Sequence, residues 1–154
     1  MDVAIELTKA PSEEVVGLLE ELNAALAGYA EEQQHALSID RLFQPGVRFF
    51  LARAAGEAVA CAGIAFLDGY AEVKRMYSKP SVRGKGVAKA LLARIESEAR
   101  GAGVKLLRLE TGVYQRDALQ FYEAAGFRRR DAFGPYAEMP ALAIETSLFY
   151  EKPL

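Results

Sequence analysis

Apolar positions recur every second residue at the start of the chain, at Val3, Ile5 and Leu7, which predicts a strand over 3–10. Pro11-Ser12-Glu13-Glu14 then has the form of a helix start, with acids where they complement the helix dipole. Val15, Leu19, Leu22 and Leu26 follow at helical spacing and predict an amphipathic helix over 13–28. Residues 30–46 are polar around a short apolar island, LSIDRLF, and read as a second short helix or an ordered loop ended by Pro45-Gly46. Three apolar runs come next, VRFFLAR (47–53), AVACAGIAFL (58–67) and AEVKRMYS (71–78). The turn sequences AAGE and LDGY join them into an antiparallel meander, which Pro80 ends.

In the second half, Val87, Leu91, Ile95 and Ala99 form one stripe with Leu92 beside it, a helix stopped by Gly101 and Gly103. KLLRLET (105–111) reads as a buried strand. RDALQFYEAAGF (116–127) reads as a shorter helix with Ala118, Tyr122 and Ala125 on one face and Gly126 as its C-cap. FRRR begins a strand, FGPY (133–136) is a turn or loop, and 141–152 is expected to be the closing strand. The order is βα(α)βββαβαββ. A helix between strands 71–78 and 105–111 is a crossover, so those two should pair in parallel within a mostly antiparallel sheet. This is a mixed α/β layout, not a doubly wound one. No repeat, low-complexity tract or linker interrupts it, so residues 1–154 are expected to form a single domain.

Composition narrows the chemistry. Hydrophobic residues make up 51% of the chain, enough for a core. The one cysteine, Cys61, rules out an intramolecular disulfide framework and, lying in an apolar run, reads as a buried core residue. The one histidine, His35, weighs against a multi-histidine metal site and reads as a surface or helix-packing residue. No metal is expected. No apolar run reaches the ~20 residues that span a bilayer, and the acidic start lacks the pattern of a signal peptide. A cytoplasmic protein is expected, with neither membrane nor nucleic acid as partner. Charge is unevenly spread: residues 1–40 carry nine acids against Lys9, and residues 72–108 carry ten bases against three acids. That asymmetry suits a protein that holds an anion in its middle and draws a cation toward its acidic part.

SVRGKGVAKALL (81–92) marks where the anion would sit. The first turn of a helix carries unpaired N–H groups and partial positive charge, and glycines let an anion approach the backbone. A plain loop with Gly for its turn and Lys for solubility is the competing reading. A P-loop fails because Gly86 is followed by Val87. A dinucleotide fingerprint fails because Lys89 stands where its third glycine would be.

Arg83-x-x-Gly86-x-Ala88 at a strand-to-helix junction resembles the acetyl-CoA motif of the GCN5-related N-acetyltransferases (GNAT). The resemblance runs from EVKRMYSKPSVRGKGVAKALL through LRLETGVYQRDALQFYEAAGFRR, covering residues 72–130. It implies a GNAT-like fold, a central mixed sheet of six to seven strands flanked by about four helices. It also implies an acyl-CoA-dependent N-acetyltransferase with acetyl-CoA as co-substrate. The coenzyme A diphosphate would lie on Arg83, Gly84, Lys85, Gly86, Val87, Ala88 and Lys89, held by backbone amides. The pantetheine arm would lie along Met76, Tyr77 and Ser78, with Gln115 as a further contact. Tyr122 matches the family's tyrosine that protonates the departing sulfur. Glu110 is the first candidate base, placed like the glutamate of the ribosomal-protein acetylating branch, with Glu72 or a water chain as alternatives. Tyr136 could wall the acceptor site or pack a turn.

The resemblance leaves the acceptor open. A primary amine of a small molecule is expected, and the acidic N-terminal region favours a cationic one. A peptide or protein amine, or an acyl-CoA-binding sensor with little catalysis, are the alternatives. A homodimer is compatible with the family, though no sequence feature requires it.

Overall fold

The computed structural model describes residues 1–154. Its strands are β1 (Ala4–Thr8), β2 (Val47–Ala54), β3 (Glu57–Leu67), β4 (Tyr70–Ser78), β5 (Leu106–Gly112), β6 (Arg128–Arg130) and β7 (Ser147–Pro153). Its helices are α1 (Glu13–Ala25), α2 (Ile39–Leu42), α3 (Val87–Gly101), α4 (Arg116–Ala124) and α5 (Ala141–Ile144). The strands form one seven-stranded sheet in the order β1-β2-β3-β4-β5-β7-β6. Every neighbouring pair is antiparallel except β4 and β5, which are parallel as the α3 crossover requires.

Period-2 alternation sends side chains to two faces. Phe50, Ala52, Ala60, Ala62, Ile64, Ala71 and Val73 meet the stripe Val87, Leu91, Leu92, Ile95 and Ala99 of α3, with Tyr122 of α4 in the same core. Phe49, Leu51 and Cys61 meet Val15, Leu18 and Leu19 of α1 and Leu42 of α2 on the other face. Burial pushes the Cys61 thiol up to about 12, so it stays a protonated core group. Tyr70, Phe133, Tyr136 and Phe149 make a third, aromatic cluster.

Two predicted boundaries move. α1 begins as expected, with Ser12 Oγ accepting from the Val15 N–H at 3.2 Å, but it stops at Ala25 rather than 28. The chain turns there through Gly28 so that the Tyr29 hydroxyl can accept from the Tyr114 N–H at 2.9 Å. The closing strand does not begin at 141. Residues after Pro140 wind into the single turn α5, and β7 starts at Ser147, which pairs with Gly112, the last residue of β5. Upstream of Ser147 there is no β5 left to pair. No helix is long and apolar enough to cross a membrane.

Candidate active site

β4 and β5 begin side by side and then part. Their ladder consists of Ala71 with Leu107 and Glu72 with Arg108, although β4 runs on to Ser78 and β5 to Gly112. A bulge in β4 sharpens the separation. Cys61 of β3 lies opposite Tyr77 but Gly63 lies opposite Lys74, so β4 carries one residue too many, and Arg75 takes a left-handed φ of 54°. The extra residue shifts the alternation: Met76 packs on the α3 side and Tyr77 on the α1 side.

A cavity of about 140 Å³ opens where the strands part. Val73, Lys74, Arg75 and Met76 form one wall, Glu110, Thr111 and Gly112 the other, and Gln115, Ala118 and Tyr122 of the α4 region a third. Leu22, Leu26 and residues 33–37 close it from the opposite face of the sheet. The split therefore lets one cavity reach Tyr122 on one face and Glu110 and His35 on the other.

The Glu110 carboxylate accepts from Ser147 Oγ at 2.8 Å. Burial raises it above the usual carboxylate range, while the Ser147 hydrogen bond and the charges of His35 and Lys74 pull the other way. Tyr122 is buried, packed edge to face on Phe121 and Phe127. Burial, and secondarily the charge of Glu110, raise its hydroxyl well above the ordinary tyrosine value, so it holds its proton.

Glu72, the alternative base, does not line this cavity. Its Oε2 accepts from Tyr136 Oη at 2.7 Å and from Lys74 Nζ at 3.2 Å, which commits it to a buried cluster. Tyr136 likewise lies behind the cavity wall, its ring edge-on to His35. His35 itself does line the cavity, contrary to the surface or helix-packing role expected of it. Its Nε2–H donates to the Ala143 carbonyl at 2.7 Å, because a carbonyl oxygen can only accept. Together with Tyr29 on Tyr114 and Gln33 on the Leu142 carbonyl, this tie holds 29–37 as a roof. No local signal could have shown it, since each contact spans more than eighty residues.

The N-terminal acids do not line this cavity either, so the cationic preference inferred from their number loses its footing. Glu6 and Glu14 instead hold Arg53, at 2.8 and 2.7 Å, and Glu21 accepts from the Tyr77 hydroxyl at 3.1 Å.

The start of α3 contrasts with that of α1. Gly86, its N-cap, has φ 83° and offers no side-chain acceptor, and no acid occupies the first turn. Its first N–H groups are thus left for an external anion. Gly84 and Gly86 are both left-handed, and a Cβ on either would meet no protein atom within 4 Å, so the space beside them is open. Lys85 and Lys89 are exposed, Val87 is buried and reachable only through its backbone, and Arg83 donates to the Ser78 carbonyl at 3.2 Å. Of the expected cofactor residues, Met76 and Gln115 line the cavity, whereas Tyr77, Ser78 and 83–89 do not.

The model of the Acetyltransferase (GNAT) family matches residues 15–127. The chain belongs to this family. It is 46% identical over 143 residues to the IAA acetyltransferase of Azospirillum brasilense, covering 91% of this chain and 90% of that one. A crystal structure from Klebsiella pneumoniae, provisionally assigned as an acyl-CoA N-acyltransferase, superposes with a TM-score of 0.80 at 33% identity, over 99% of this chain and 97% of the other. PaiA N-acetyltransferase of Thermoplasma acidophilum, solved in complex with coenzyme A, shares the fold with a TM-score of 0.72 at 21% identity, over 98% and 99% of the two chains. The protein is an acyl-CoA-dependent N-acetyltransferase of the GNAT fold, and the uncapped start of its α3 with open space beside two glycines fits the diphosphate of such a co-substrate.

Proposed function

We propose that this GNAT protein transfers the acetyl group of acetyl-CoA to a primary amine of a small molecule by direct attack on the thioester. The observation that carries the reading is the parting of β4 and β5, which brings Glu110 and Tyr122 to one cavity from opposite faces of the sheet. When bound, acetyl-CoA supplies the activated acyl group. Backbone amides of 83–89 at the start of α3 hold its diphosphate, with Lys85 and Lys89 adding field. Met76, Tyr77 and Ser78 offer the backbone of β4 to the pantetheine arm, and Gln115 its amide.

Glu110, ionised above its raised pKa, takes a proton from the incoming amine, directly or through water. A backbone N–H of β4, the strand that parts from β5, serves as donor to the developing oxyanion. Tyr122, which keeps its proton, gives it to the leaving sulfur. The cavity's size and its tied roof support a small acceptor over an extended peptide. A turnover screen with acetyl-CoA over amines, amino acids and peptides, read as thiol release and as acetylated product, tests this. Product from small amines is the expected result. Binding of acetyl-CoA with no product from any acceptor would make the protein a sensor and overturn the proposal.

A further inference from the structure

The charged residues that line the cavity are Lys74, Arg75 and Glu110, so it holds a single acid. The proposed chemistry uses that acid at the reacting amine. Glu72, two residues before Lys74, is buried and committed to Tyr136 Oη at 2.7 Å and Lys74 Nζ at 3.2 Å. Residues 33–37 of the roof add no acid. The Arg75 guanidinium is enclosed, its Nη2 donating to Asn23 Oδ1 at 2.6 Å, but its positive charge stays in the wall. A second cationic centre on the acceptor would therefore give up its water with no carboxylate to receive it.

The α1 side offers the opposite chemistry. Leu22 and Leu26, four residues apart, share one face at the end of α1, and both line the cavity. Leu37 of the roof joins them. Leu22 and Leu37 rest on the α1-side core, whereas Leu26 belongs to none of the three core clusters. It is only half-buried, so apolar surface remains there for a ligand to cover. The leucines and Glu110 line one and the same cavity, so a molecule with its amine at Glu110 has the rest of its length within that lining.

We propose that the acceptor is a monoamine with an apolar tail, that the tail lies against Leu22, Leu26 and Leu37, and that the lone acid of the cavity selects against diamines and polyamines. This rests on the acetyl-transfer reading and narrows its substrate class. It reverses the cationic preference that the N-terminal acids suggest.

The test measures kcat/KM for ethylamine, propylamine and butylamine, and for 1,3-diaminopropane, which matches butylamine except that an ammonium replaces the terminal methyl. Rates are expressed per concentration of neutral amine, so that differences in basicity drop out. In the wild type each added methylene should raise kcat/KM about fourfold. Butylamine should exceed the diamine about tenfold or more. Leu26→Gln should flatten the alkyl series. Leu26→Glu, which supplies a second acid, should bring the diamine level with butylamine or ahead of it. Melting curves check that both variants fold, and the wild-type comparison decides the matter even where one does not. A flat alkyl series in the wild type, or a diamine turned over as well as butylamine, would overturn the inference, as would unchanged ratios in both folded variants. Acetylated product in those cases would leave the transferase reading standing. If no amine at all is acetylated, that reading has failed and this inference falls with it.

Discussion

Replacing Ser147 by alanine removes the one hydroxyl that donates to Glu110, at 2.8 Å, and touches nothing proposed to contact acetyl-CoA. The bond favours the charged carboxylate, whereas burial favours the neutral acid and wins, so Glu110 titrates above its ordinary range. A base works only when ionised. In the wild type, kcat/KM should therefore rise with pH through this raised pKa and then level off. A hydrogen bond to a charged group is worth about 1.5–3 kcal/mol, and 1.4 kcal/mol is a tenfold change in an equilibrium constant. Without it, the ionised fraction on the acid limb should fall about tenfold or more, with the limb displaced to higher pH. The plateau, where Glu110 is ionised in both proteins, should stay the same. The assay is the pH profile of kcat/KM by thiol release for both proteins, with Glu110→Gln as the reference that lacks the limb. An unmoved acid limb in Ser147→Ala, or a drop of equal size at every pH, would refute the assignment of that limb to Glu110.

Gly86→Ala places a side chain at φ 83° with no protein atom near its Cβ, so its cost is conformational, about 1–2 kcal/mol; the variant should melt several degrees lower and bind acetyl-CoA more weakly by calorimetry, and unchanged affinity would remove α3's start as the anion seat. Gly112→Ala drives a Cβ into the Tyr29 ring, which must leave its place against Tyr114. Acceptor KM should rise while acetyl-CoA affinity holds, and an unchanged acceptor KM would show that the roof does not shape the acceptor site.

The long periodic elements were legible because their signals are local. The α3 stripe, the meander and the parallel pair all follow from spacing and from the crossover. The uncapped, glycine-flanked start of α3 was legible for the same reason, since its glycines and bases are consecutive. The β4 bulge was not: AEVKRMYS reads as an unbroken strand, and only the register against β3 shows that Arg75 is the extra residue and that Met76 and Tyr77 point oppositely. The roles of His35 and Tyr29 depend on contacts across more than eighty residues, which no pattern in the chain carries. Counting acids misled for a related reason. A sequence gives the number of charges, but the fold decides which of them face the cavity, and Glu6, Glu14 and Glu21 are spent on Arg53 and Tyr77.

Tyr122 is the most exposed point of the catalytic proposal, because its place in an apolar core would equally suit a packing role. Acetyl-CoA affinity and amine-dependent thiol release should be measured side by side on the wild type and on Tyr122→Phe, which keeps the ring and removes only the hydroxyl. Equal affinity with a rate lowered about 10²–10⁴-fold is the predicted result. An unchanged rate at unchanged affinity would contradict it, and would leave the cavity between β4 and β5 without its proton donor.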